Sequence, residues 1–333
     1  MCWPSTEPRL VQVAPLDPKT YRRHAIHGED RTWQETNCYT DLLVELVHGL
    51  GHEPAAMLPF TLAIDFEGDQ WTFFKPAPAD LLELYGLDLQ ELAIWRPLAE
   101  HVAEQVEAGR PVLVELDAWY LPDTAGTAYR LAHTKTTVGV NAIDLGGRYL
   151  GYFHNAGYFA LEGDDFREIF QLEGVPHERV LPPYVEFLKA VPGFRAPRGA
   201  ALAQASTALL ARHLKRVPAT NPFRRFAQRF AADLEWLMTA QIERFHTYSF
   251  ATLRQYGACY ELASTYLRWL ASHGVDGLEA PAAELAQIAQ VAKAFQFQLA
   301  RAMARRKPLD LAPLEAMAGC WERALAPLAA RFA

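Results

Sequence analysis

The sequence has few cysteines, no long apolar run and no internal repeat. Its four cysteines, among 333 residues, match no zinc-binding spacing, so we expect free thiols in a reducing compartment. The apolar stretches are far shorter than the roughly 18 residues of a membrane helix, and the N-terminus lacks the features of a secretory signal. These absences predict a cytoplasmic globular protein without a membrane partner.

Charge is mild on average but uneven along the chain. The whole sequence carries a net charge of −7, with a pI of about 5.9. Residues 1–190 contain 14 basic and 29 acidic residues, a net charge of −15, whereas residues 191–333 contain 18 and 10, a net charge of +8. Such asymmetry indicates two parts with different partners. The acidic pI and the lack of a nucleic-acid motif argue against nucleic-acid binding.

Composition changes at the same place. Of the 20 glycines, 14 lie before residue 191, and the sequence after it is rich in Ala, Leu and Arg with helical periodicity. The best linker is the stretch 192–197, which contains two prolines and a glycine. We therefore predict the α+β class, with an antiparallel sheet in residues 1–190 and an all-α helical bundle in residues 191–333.

Local patterns predict the individual elements. Thr36 or Asn37 can cap a helix that reaches about Leu50, and Phe60–Phe66 and Gln70–Phe74 resemble short strands. The remaining predicted helices are 79–85, 95–108, 199–216, 222–247, 249–273, 281–305 and 310–331, and the remaining predicted strands are 111–116, 134–143, 148–153 and one from 157.

Cys38 is the candidate nucleophile because it falls in the first turn of the predicted helix. Unpaired backbone N–H groups and the positive end of the helix dipole favour thiolate over thiol there, and the same N–H groups can hold an oxyanion. The competing interpretation is a small buried apolar residue, which free cysteines usually are. Gln34 and Asn37 are candidate oxyanion or substrate-binding residues beside it.

His133 is the candidate general base, since it immediately precedes a predicted strand. Two residues compete to orient its ring: Asn155, after the partner strand, and Asp117, at the end of the strand that begins at residue 111. A hairpin turning between Gly146 and Gly147 would place His133 opposite about Ala160, several residues from Asn155 unless a bulge shortens the gap. Two residues after His133, Lys135 is a candidate anion ligand.

Three sequence runs resemble a bacterial family, domain of unknown function 1839, over most of the chain. They are Glu35–Tyr39, Asp65–Lys75 and Tyr152–Tyr158. Members of that family tend to be encoded near ligases that load an amino acid onto a carrier-protein thiol. The resemblance therefore implies an aminoacylated acyl carrier protein as partner.

A more distant resemblance links the order of Cys38, residues 111–122 and His133 to the butirosin biosynthesis protein H acyltransferases and to papain-like cysteine peptidases. It implies a papain-like domain in which Cys38 is the nucleophile and His133 the base. The expected reaction is acyl transfer from a phosphopantetheine thioester to an amine or other small-molecule acceptor, with no cofactor held by the chain itself. Papain-like peptidases usually place an oxyanion glutamine six residues before the cysteine, where this chain has Thr32.

Two alternative functions remain open from the sequence. One is a cysteine hydrolase with the same residues, acting as a peptidase, amidase or thioesterase. The other is a non-catalytic module that binds the carrier protein. In each case the basic half offers an acidic partner three clusters: Arg212, Lys215 and Arg216; Arg224, Arg225 and Arg229; and Arg301, Arg305, Arg306 and Lys307. The alternative interpretation is that these side chains are solvated helix faces or form salt bridges with the acidic half.

Overall fold

The computed structural model describes residues 7–172 and 183–333, so Cys2 lies outside the described residues. The chain divides into two compact units that interleave in sequence. As far as they are described, Met1–His27, Asn37–Pro54 and Leu81–Arg195 form the first unit. Gly28–Thr36, Ala55–Asp80 and Ala196–Ala333 form the second. In the described ranges, no helix is both long and apolar enough to cross a membrane.

A seven-stranded antiparallel sheet is the centre of the first unit, which confirms an α+β protein with an antiparallel sheet. Its hydrogen-bonded order is β2-β7-β3-β4-β5-β6, and β1 pairs with β4 beside this path. The strands are β1 (Val11–Gln12), β2 (Leu87–Glu91), β3 (Val112–Asp117), β4 (Lys135–Asp144), β5 (Tyr149–His154), β6 (Gly157–Glu162) and β7 (Val185–Ala190).

Helices cover both faces of this sheet. Side chains alternate between the faces of a strand, so the even-numbered residues of β3 and those of β4 up to Val140 share one face. That face forms an apolar core with α3 (Leu98–Glu107) and α4 (Gly163–Ile169). The opposite face packs against α1 (Cys38–Gly49), whose Leu42 lies beside Gly139 of β4. A short helix, α2 (Pro78–Tyr85), precedes β2.

Helix α1 begins where the sequence predicts. The side chain of Asn37 accepts a hydrogen bond from the backbone N–H of Thr40 at 2.8 Å and so caps the helix. Every residue from Tyr39 to Val47 is buried, including Asp41 and Glu45. Burial of this helix therefore requires partners for its two carboxylates.

The β4–β5 hairpin turns at the predicted place, but its register changes further along. Asp144 pairs with Tyr149, and a bulge between Val140 and Ala142 shifts the pairing by one residue. The chain then turns again after His154, so the expectation that Ala160 lies opposite His133 is wrong. Ala160 instead pairs with Gly151 in the second hairpin.

Six α-helices form most of the second unit, in agreement with the predicted helical second half. They are α5 (Gly199–Leu214), α6 (Pro222–Thr239), α7 (Ile242–Ser249), α8 (Gln255–Ser272), α9 (Glu279–Arg305) and α10 (Ala312–Phe332). A π-helical stretch, Phe250–Arg254, joins α7 to α8. The core of the second unit contains a cluster of aromatic rings. The centroid of the Trp71 ring lies 4.9 Å from that of Tyr256 and 5.1 Å from that of Phe223.

Some local predictions differ from the structure, and the helix predicted over 222–247 is divided into α6 and α7. Phe60–Phe66 is not a strand, because Pro54–Ala63 forms a 3₁₀ helix, and only one bridge, between Phe66 and Trp71, joins it to the next predicted strand. An apolar run of this length fits a strand or a buried helical turn equally well. The sequence also does not reveal β2 and β7, which pair with each other across a separation of about 100 residues.

A buried ionic cluster gives the carboxylates of α1 their partners. His27 hydrogen-bonds through Nδ1 to Glu45 and through Nε2 to Asp41, and the Tyr21 hydroxyl donates to Glu45 at 2.6 Å. Burial alone would lower the pKa of His27. The hydrogen bonds and negative charges of the two carboxylates overcome that effect and raise the pKa of His27 to about 9.

We therefore expect the stability of the protein to fall as pH rises from about 6.5 to 9. A histidine whose pKa is higher in the folded than in the unfolded state stabilises the fold fully below its unfolded pKa, here about 6.5. This stabilisation is lost as pH rises to the folded pKa of about 9, and the free energy of unfolding falls by about 3 kcal/mol in all. Urea unfolding across this range measures the slope. His27→Gln should remove it, whereas His48→Gln, at a partly exposed ring, should retain it; an unchanged slope in His27→Gln contradicts the assignment.

Candidate active site

Cys38 is the first residue of α1, directly after the capping Asn37. Its side chain is half-buried, whereas Cys259 and Cys320 of the second unit are buried inside helices. The thiol of Cys259 donates to the carbonyl oxygen of Thr61, and burial raises the pKa of both buried thiols. Among the cysteines that the structure describes, Cys38 is therefore the least buried.

His133 is held by Asp117 at the start of β4. Asp117 Oδ2 lies 2.6 Å from His133 Nδ1, and its Oδ1 accepts from the backbone N–H groups of Trp119 and Thr134. The Trp119 ring stacks on the imidazole, with 4.5 Å between centroids and 10° between planes. An Nδ1–H that donates to a carboxylate leaves Nε2 as the proton acceptor, and His133 is 66 % exposed on its side chain.

Of the two residues that compete to orient His133, the structure brings Asp117 to the ring and not Asn155. Asn155 has a φ of 44° in the turn between β5 and β6. Asparagine tolerates this left-handed conformation better than most residues, which explains its presence there. The sequence motif around Asn155 therefore reflects a hairpin turn.

The other predicted binding residues have different surroundings in the structure. Lys135 Nζ lies 2.6 Å from Glu115 Oε1, so the ammonium group already forms an ion pair with a carboxylate of the neighbouring strand. Asn37 uses its side-chain oxygen in the helix cap. Gln34 is an exposed residue of the segment 28–36, which belongs to the second unit. Anion binding by these three side chains stays a prediction.

Alternation along the strands places the His133–Asp117 pair on the face that carries α1. Asp117 follows Leu113 by four residues in β3, and Leu113 pairs with Gly139, which contacts Leu42 of α1. Within the ranges that the structure describes, however, no hydrogen bond joins Cys38 to His133. Cys38 begins the helix that covers this face, and His133 lies on the same face without a hydrogen bond to it.

A second histidine–aspartate pair lies on the opposite face of the sheet. His154 Nδ1 lies 2.6 Å from Asp123 Oδ2, its Nε2 lies 2.8 Å from Thr136 Oγ1, and the Tyr152 hydroxyl donates to Asp123 at 2.6 Å. These four side chains are buried or nearly so. Because each polar atom has a partner, the network fastens the segment 118–134, which carries Trp119 and His133, to the sheet.

The sequence did not reveal this network, nor a buried glutamate of β7 that bonds to α1. Glu186 of β7 is buried, and it accepts hydrogen bonds from Tyr39 at 2.7 Å and from Tyr184 at 3.0 Å. No local pattern marks Glu186, because β7 itself is not predicted from the sequence and glutamate is rarely buried. No group of three or more His, Cys, Asp or Glu side chains in the described residues could hold a metal ion.

Comparison with known proteins places both parts of the chain. The DUF1839 N-terminal domain matches residues 22–190, and the DUF1839 C-terminal domain matches residues 199–330. No curated protein matches the sequence. Together the two domains cover most of the 333 residues, and the chain therefore belongs to the DUF1839 family.

Proposed function

We propose that this protein is a cysteine-dependent acyltransferase in which Cys38 carries the acyl group. The observation that carries the proposal is the pairing of His133 with Asp117, under the Trp119 ring, on the sheet face where α1 begins with Cys38. An imidazole with a fixed tautomer and a cysteine at a helix N-terminus are the two groups that thioester chemistry needs. On this proposal the first unit is a papain-like domain.

The reaction has two steps. In the first, His133 Nε2 takes the thiol proton of Cys38, whose Sγ attacks the carbonyl carbon of a carrier-protein thioester. The pantetheine sulfur leaves with that proton from Nε2, and an acyl thioester forms on Cys38. The backbone N–H groups at the start of α1 stabilise the oxyanion. In the second, an amine attacks this thioester, His133 Nε2 takes the amine proton and returns it to Sγ, and an amide is released.

The donor on this proposal is an aminoacylated acyl carrier protein, and phosphopantetheine arrives attached to it. Exchange between two thioesters changes the free energy little, so a cysteine nucleophile suits this donor. Because no hydrogen bond joins Cys38 to His133 in the structure, the reaction requires the two groups to approach each other when donor binds. Catalytic hydrogen bonds are often long before substrate binds and shorten in the complex.

The absence of a Cys38–His133 hydrogen bond also favours a second candidate, a non-catalytic module that binds the carrier protein. In that case the exposed His133 and its stacked Trp119 ring would belong to a binding surface. Covalent chemistry at Cys38 separates the two candidates, since a binding module forms no acyl-enzyme.

Intact-mass spectrometry after incubation with an aminoacyl pantetheine thioester should show one acyl adduct, mapped to Cys38. Cys38→Ala should form none, because the attacking sulfur is gone. Cys259→Ala and Cys320→Ala, which remove buried thiols, should acylate like the wild type. An unmodified wild type, or a Cys38→Ala protein that still acylates, contradicts the proposal. Release of the acyl group to water alone indicates a hydrolase.

Asp117→Asn should slow acylation of Cys38 by roughly a hundredfold or more, because an amide can bind the wrong histidine tautomer. Asp80→Asn is the matched control, since Asp80 of the second unit contacts His213 at the same distance of 2.6 Å. It should lower stability while folded protein acylates at the wild-type rate. Equal rates in Asp117→Asn and the wild type would show that His133 is not the base.

A further inference from the structure

The three basic clusters of the second half differ in how far carboxylates neutralise them. Arg224 forms ion pairs with Glu315 at 3.0 Å and Glu322 at 3.2 Å, and Arg229 pairs with Asp233 at 2.8 Å. Arg225 of the same cluster pairs with Asp65, and Arg212 of the first cluster lies 4.0 Å from Asp80. The second cluster is therefore internally neutralised and offers little charge to a partner.

The third cluster is different. In the ranges 7–172 and 183–333, no carboxylate lies within ion-pair distance of Arg301, Arg305, Arg306 or Lys307. Arg301 and Arg305 are exposed on α9, on the side away from its buried residues. Lys293 and Phe297 precede them on this helix at the same four-residue spacing, which places the four side chains along one side.

Exposed aromatic rings adjoin these cations. Phe297 is 63 % exposed, and Phe250 of the π-helical stretch is 56 % exposed. A hydrogen bond of 3.3 Å from Gln296 to Ser249 joins the residues that precede them, so the two phenylalanines belong to neighbouring elements. Large exposed apolar side chains that are grouped and rimmed by charge are typical of interaction surfaces.

Two further cations lie among these rings. Lys293 Nζ lies 4.2 Å from the centroid of the Trp33 ring and 5.9 Å from that of Phe297, and the Arg254 guanidinium lies 5.0 Å from that of Phe250. Burial and the charge of Arg254 lower the pKa of Lys293, although Glu261 opposes them. Arg254 is 3.7 Å from Glu35. Positive charge exceeds negative charge here, and it accumulates towards Arg305.

We infer that Phe250, Arg254, Lys293, Phe297, Arg301 and Arg305, here called the α9 face, form the docking surface for an acidic protein. This inference rests on the proposed function, in which the acidic carrier protein delivers the acyl thioester. Arg301 and Arg305, which have no ion pair among the described residues, select a partner that presents carboxylates, and the two phenylalanines select one with apolar side chains between them. A second copy of the chain, with its acidic residues 1–190, is the competing occupant.

The test measures binding of the full chain to the apo form of a carrier protein that accepts amino acids. Without phosphopantetheine no thioester can form, so calorimetric titration reports docking alone. The double substitution Arg301→Glu with Arg305→Glu should weaken binding at least about tenfold at low salt. The control, Lys215→Glu with Arg216→Glu, makes the same change in net charge at exposed residues elsewhere in the second unit and should change affinity less than about twofold.

Phe297→Ser separates the apolar from the charged contribution. It should weaken docking while leaving the dependence of affinity on salt unchanged, whereas the Arg301/Arg305 substitution should flatten that dependence. Equal losses in the Lys215/Arg216 control would show a non-specific effect of net charge and overturn the inference. So would a wild type that does not bind apo carrier protein, or a wild-type dimer, seen by sedimentation velocity, that the Arg301/Arg305 substitution dissociates.

Failure of docking and failure of acyl transfer give different results. Acylation of Cys38 by a small pantetheine thioester does not require the α9 face, and docking of the apo carrier does not require Cys38. A Cys38→Ala chain that binds apo carrier normally but forms no adduct supports both proposals. Normal acylation with no carrier binding overturns the α9 face alone.

Discussion

The close contact of α1 with the sheet is the constraint on which the first unit depends. A Cβ atom at Gly139 would lie 3.0 Å from Leu42 Cδ1, and one at Gly49 would lie 2.6 Å from a Phe153 ring carbon. These two glycines therefore set how near the helix can approach β4 and β5. The resulting burial encloses Asp41 and Glu45, which explains the protonated His27 between them.

The same packing determines where Cys38 is presented. The helix starts at a capped residue, and strand alternation then places Asp117 and His133 on the face that α1 covers. On the opposite face, the His154–Asp123 network holds the segment that carries His133. One histidine–aspartate pair is exposed and stacked on Trp119, and the other is buried and fully hydrogen-bonded. This difference in exposure is why we propose chemistry for the first pair and a structural role for the second.

Local signals were sufficient for much of this arrangement. The cap at Asn37 and the turn at Gly146–Gly147 are encoded within a few residues, so α1 and the β4–β5 hairpin could be predicted. The partner of His133 could only be narrowed to Asn155 or Asp117. The choice depends on the bulge after Val140 and the turn at Asn155, which break simple register counting. Strands β2 and β7 pair over a long separation, and no local pattern marks such pairing.

The proposed mechanism requires Cys38 and His133 to act together. Its most direct test is the crystal structure of the chain with an acyl group, or a stable analogue of one, attached to Cys38. We expect the Nε2 atom of His133 to point at the acylated sulfur within hydrogen-bonding reach, while Nδ1 keeps its contact with Asp117. A structure in which the acylated Cys38 has no contact with His133, and another group lies at the sulfur, would contradict the account.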